Sequence, residues 1–88
     1  MNEADKAHRR RESSRGTLVE QVLEDTLGEA LTAIREECLQ AMCERNATDE
    51  RVLQARDHLI VVDQIESYLQ RVVETGKLAK YQLEEAKS

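Results

Sequence analysis

The groups in this chain that chemistry would use are few. They are Cys38 and Cys43, His8 and His58, Asp57 beside His58, the carboxylate pairs Glu36-Glu37 and Glu84-Glu85, and a basic cluster of Arg9, Arg10, Arg11 and Arg15. Each needs a particular spacing to act. The cysteines are five residues apart, so on a helix they diverge by about 140° and cannot hold one metal ion. No ligand pair is read at either histidine. Adjacent carboxylates fall on different helical faces, where water solvates them. Asp57 and His58 read as an exposed polar pair, with a shared interface as the alternative. No glycine-rich phosphate loop or nucleophile elbow is present. A helical hairpin of this size also offers no deep cleft. The expectation is a protein without catalytic residues, metal or cofactor: not an enzyme.

The arginine cluster admits two readings. It is either an arm touching phosphates or an acidic partner, or a solvated terminus that carries charge for solubility. Residues 1–16 hold five basic and three acidic side chains, net +2, while the remainder carries −7 of the overall −5. An acidic body is repelled by nucleic acid and by anionic membrane, so contact with nucleic acid is expected through the arm only. No aromatic residue interleaves with the arginines, so base stacking is not expected.

The elements that must position these groups read as helices. Of the 88 residues 40% are hydrophobic and 35% charged, with no Phe, Trp or Pro, three Gly, and Tyr68 and Tyr81 as the only aromatics. That is the composition of long, coiled-coil-like helices. The longest apolar run, Leu59-Ile60-Val61-Val62, is far short of the roughly 18–20 residues that span a bilayer, so no membrane contact is expected. The N-terminus has no apolar signal core, and the cysteines read as reduced thiols of a cytoplasmic protein.

The spacing predicts an all-α fold: an antiparallel two-helix hairpin with a short C-terminal helix and a polar N-terminal arm. The arm covers 1–16 and the hairpin domain 17–88. Thr17 and Glu20 form a candidate capping box for a first helix over about 17–45. Its apolar stripe is Leu23, Leu27, Leu31, Ile34, Cys38 and Met42. Gly28 lies inside it, either as a local penalty of about 1 kcal/mol or as a close helix crossing. Asn46-Ala47-Thr48-Asp49 predicts the break, with Thr48 or Asp49 capping a second helix over about 50–75. Gly76 reads as its glycine C-cap, leaving a short helix at about 77–86. At 1.5 Å per residue the two main helices come to about 43 and 39 Å, matched for an antiparallel pair.

The second stripe runs Val52, Ala55, Leu59, Val62, Ile65 or Glu66, Leu69 and Val72-Val73. Ile60 and Val61 lie beside it, so mid-helix is apolar over more than half its circumference. One hairpin partner cannot cover that much surface. Leu59, Ile60, Val61, Val62, Ile65 and Leu69 are therefore the candidate interface for a homo-oligomer or another partner. Glu66 either pairs with an arginine across an interface or lies at the stripe's edge.

The stretches Ala55-Arg56-Asp57-His58-Leu59, Ile65-Glu66-Ser67-Tyr68-Leu69 and Val73-Glu74-Thr75-Gly76-Lys77-Leu78-Ala79 resemble small helical proteins encoded in tailed bacteriophages and prophages. The resemblance covers roughly residues 20–83. It departs from the family pattern in having no aromatic in the first helix. It implies a place among head, packaging or assembly genes, with other phage structural proteins as partners and the virion as a destination. Three functions follow as expectations. The first is a non-enzymatic, self-associating component of virion assembly. The second is a DNA-packaging accessory factor that uses Arg9, Arg10, Arg11 and Arg15. The third is a host-takeover inhibitor whose acidic body mimics nucleic acid.

Overall fold

The first helix begins at Glu3, well before Thr17. The Asn2 side chain accepts a hydrogen bond from the Asp5 backbone N–H at 2.8 Å, and Glu3 and Asp5 lie at the positive pole of the helix that follows. The computed structural model describes residues 1–87. It consists of α1 (Glu3–Glu24), α2 (Thr26–Cys43) and α3 (Asp49–Lys87), with no strand among the described residues. Ser88, the last residue of the expected hairpin domain, lies outside them.

Several expectations are corrected. The segment 1–16 is not a free arm: it forms the first four turns of α1 and packs along α3. Thr17 is interior to α1, and its hydroxyl donates to the Ser13 carbonyl at 3.1 Å, so there is no capping box at that position. The arm lacks an apolar stripe because it meets α3 through small residues and through the stems of long ones. Gly16 is buried, and Lys6, Ala7, Arg9, Glu12 and Ser13 are half-buried. Packing overrides a weak local preference here.

Gly76 does not end a helix. α3 continues through it to Lys87, and no glycine has a positive φ. What Gly76 provides is closeness. A Cβ built there would stand 2.7 Å from the Gly16 Cα and 2.8 Å from the Glu12 carbonyl oxygen. The reciprocal Cβ on Gly16 would stand 2.8 Å from the Gly76 Cα. Two bare backbones touch where α1 meets α3. The expected short helix over 77–86 is simply the last turns of α3, which is 39 residues long.

The expected helix over 17–45 is in two pieces. Asp25 breaks it: its N–H bonds back to the Val22 carbonyl at 3.3 Å, and its ψ of −134° leaves the helical region. A Cβ at Gly28 would collide with the Leu23 carbonyl, so this glycine lets the end of α1 close onto the first turn of α2. The close approach is at the break between consecutive helices.

The break before α3 is where the sequence places it. The Thr48 hydroxyl accepts from the Arg51 N–H at 3.2 Å, making Thr48 the cap, and the Arg51 guanidinium forks onto Glu44 through two bonds of 2.9 Å. α1 and α2 then lie end to end along α3, an antiparallel helical hairpin measuring 62 × 21 × 15 Å. Its core is thin. Leu31, Cys38, Ala55, Val62, Val73 and Ala79 are the buried apolar residues, with Leu59 and Leu69 half-covered between them.

Candidate interaction face

A two-helix hairpin has two broad faces, and here they differ in kind. On one face ion pairs cross between the arms. Arg35 of α2 reaches both Asp63 and Glu66 of α3, the latter at 2.6 Å, and Lys77 of α3 stands 3.7 Å from Glu20 of α1. Asp63, Glu66 and Lys77 share that face because they are separated by three and eleven residues, close to whole helical turns. Hydrogen bonds from Arg35 to Glu66 and then to Asp63 raise the pKa of the guanidinium above its ordinary value. The bond to Glu44 does the same for Arg51 beside the turn. These pairs are partly exposed to solvent and mainly set register.

On the other face one side-chain hydrogen bond, from a cation to a neutral hydroxyl, bridges the arms among the described residues. The Arg15 Nη2 donates to the Tyr68 hydroxyl at 2.9 Å, and Arg71 lies 5.9 Å from the Tyr68 ring centroid. Val61, Ile65 and Tyr68 follow one another at steps of four and three, so they share this face of α3, and 44–51% of each remains exposed. Val22, seven residues after Arg15, continues the face on α1. Ile34 continues it on α2, lining a shallow groove with His58, which stands one turn before Val61. Val22 and Ile34 are each 43% exposed. Half-exposed apolar side chains therefore run along the middle of this face on all three helices.

The six candidate interface residues divide accordingly. Val62 is buried inside the hairpin, and Leu59 and Leu69 are half-buried against the facing arm; Ile60, Val61 and Ile65 are exposed. Val61 and Ile65 lie on the apolar face, while Ile60 points to the outer edge of α3 with Leu53, also exposed. Sequence reasoning did not reach Val22, Ile34 or Tyr68 as parts of one surface. Their heptad-like spacing within each helix is visible in the sequence, but which rows lie side by side depends on the register of the hairpin.

The arginines also divide. Arg9 is half-buried and bonds Glu12 at 3.0 Å, and Arg15 is engaged by Tyr68, whereas Arg10 and Arg11 are exposed. All four stand on α1. His8 has a neighbour after all: its Nε2 is 3.2 Å from Glu12, one turn on. Among the described residues no group of three His, Cys, Asp or Glu side chains is placed to hold a metal ion. Cys38 is buried and Cys43 exposed, both as free thiols. Asp57 and His58 are exposed. Glu66 is paired across an interface, that of the chain with itself. No helix among the described residues is long and apolar enough to cross a membrane. No family model, curated protein or solved structure matches this chain.

Proposed function

We propose that this chain is a non-enzymatic assembly component whose function is to associate with itself through the apolar face of the hairpin. The observation that carries this reading is the row of Val61, Ile65 and Tyr68 flanked by Val22 and Ile34, half-exposed on one broad face while the opposite face is tied by ion pairs. Burying the remaining half of a Val or Ile side chain is worth about 1 kcal/mol, so a face of this kind supplies several kcal/mol when covered. A hairpin with so thin a core has little stability of its own, and covering this face adds to it. The resemblance to small phage proteins supplies the setting, a phage particle or its morphogenesis.

Sedimentation velocity over a range of concentrations tests the reading. The wild-type chain should associate, and its melting temperature should rise with concentration. Val61→Glu and Ile65→Glu should each dissociate the assembly while leaving the helical circular dichroism intact, since both side chains are exposed in the single hairpin. A chain that is monomeric at several hundred micromolar, with both variants equally stable, would refute it.

A further inference from the structure

Resting on that self-association, we infer that the partner is one second copy, docked face to face and antiparallel about a two-fold axis at Ile65. The argument is the distribution of charge around the apolar row. Beyond Val22 and Tyr68, toward the N-terminal end of α1, the face carries Arg15, with Arg71 at its margin; beyond Ile34 and Val61, toward the turn, it carries Glu37 and, one turn before Val61, Asp57, while Arg51 in the same groove is already paired with Glu44. Arg15, Arg71, Glu37 and Asp57 are exposed, and none of these four has an ion-pair partner among the described residues. The face is basic at one end, apolar in the middle and acidic at the other.

Such a pattern is self-complementary in one sense only. A two-fold axis across the helices at Ile65 stacks α3 on the partner's α3 in the opposite direction. Each Ile65 then meets its own copy, Val61 meets Tyr68, and Ile34 meets Val22, an isologous set of contacts. The same operation brings Arg15 over Glu37 and Arg71 over Asp57. It also sets α1 against the C-terminal end of the second α2, whose last turn has no basic residue to offset its negative pole. In the parallel alternative α2 lies over α3 at equal height, which places Glu37 beside Asp57 and Arg15 near Arg71. Like charges then face each other at both ends. Size agrees as well: a face 62 Å long, even at the hairpin's smallest width of 15 Å, exceeds the roughly 800 Å² per partner of a stable interface.

Two measurements test the arrangement. Reversing one end (Arg15→Glu with Arg71→Glu) should weaken the dimer at least about tenfold at low salt, as should reversing the other (Glu37→Lys with Asp57→Lys). Combining all four substitutions in one chain should restore it, because each antiparallel pair is again of opposite sign. In a parallel dimer the combination would still set like charges together, so absence of rescue overturns the inference. Independently, a spin label on Cys43 in the Cys38→Ala background reads geometry. Cys43 is level with the start of α3, roughly fifteen residues from Ile65, so the antiparallel dimer separates the labels by about 45 Å. A dimer with labels closer than about 30 Å overturns the antiparallel arrangement but leaves self-association standing. A monomer overturns both.

Discussion

The two halves of the hairpin are held by different means. Where α1 crosses α3 the two backbones touch at Gly16 and Gly76, which leave no room for a Cβ on either side, and the buried side chains flanking that contact, Val73 and Ala79, are small. Where α2 lies on α3 the contact is made by side chains: Leu31, Cys38, Ala55 and Val62 are buried, and Arg35 clasps Asp63 and Glu66 from outside. A backbone contact brings helices close with almost no apolar bulk and fails sharply when anything is added. A side-chain contact tolerates change and fails in proportion to what is removed. That contrast explains how a chain without Phe or Trp closes a hairpin along its whole length: one half is filled by Leu31, Cys38 and Val62, and the other draws its backbones together until Val73 and Ala79 suffice.

The largest effect should come from filling the glycine contact. Gly76→Leu should cost about 3 kcal/mol, because neither backbone can retreat without parting α1 from α3. Hydrogen exchange should show α1 amides losing protection while those of α2 keep theirs. If both halves loosen equally, the halves are one cooperative unit. Next, Leu31→Ala should cost about 2 kcal/mol, at the low end for a buried leucine because the thin core can collapse around it. In this variant the loss of protection should start in α2. A denaturant titration alongside the glycine variant measures the ratio.

The ion clasp gives a smaller effect with a definite pH signature. Arg35 has a raised pKa in the folded chain, so its contribution is fully present below the ordinary guanidinium range and is lost only as pH rises through the folded value. Between neutral and mildly alkaline pH the α2 half should therefore not open. Arg35→Gln should remove the clasp at every pH, visible as faster exchange in α2 that high salt reproduces in the wild type. The smallest effects lie at the candidate caps. Asn2→Ala should fray the first turn of α1 by about 0.5–1 kcal/mol. Thr17→Ala, inside the helix, should change stability by less than about 0.5 kcal/mol and should leave protection at residues 18–21 unaltered. A larger cost at Thr17 than at Asn2 would move the start of the helix back to Thr17.

These outcomes bear on what a one-dimensional reading reaches. The turn between the arms was legible at Asn46-Ala47-Thr48-Asp49 because capping is local: Thr48 satisfies an N–H three residues away, and nothing distant is involved. The start of α1 carried a comparable local signal, Asn2 with acids at Glu3 and Asp5. It was overshadowed by Thr17 and Glu20, because the charged segment between them shows no apolar stripe. Gly76 misled for a related reason. A glycine followed by lysine near the end of an apolar stripe has the pattern of a C-cap, and only the position of Gly16 reveals that the missing side chain serves a crossing. Val61 was found as an apolar residue beside the stripe and Ile65 as a candidate interface residue within it, whereas their alignment with Val22, Ile34 and Tyr68 was not.

By itself, then, the sequence determined the all-helical class, the reversal near residue 46, a cap at Thr48 or Asp49 and the excess of apolar surface on the second arm. Periodicity, capping and turn chemistry act over three or four residues, and neighbours in the chain suffice to express them. Tertiary structure decided that residues 3–16 are helical, that Asp25 interrupts one arm while Gly76 does not interrupt the other, and that one broad face is tied by ions and the other left apolar. Each of those depends on which residue of one arm stands opposite which residue of the other. That register is set only when both helices pack, because the cost of a close glycine contact or the gain of an ion pair exists only across the interface.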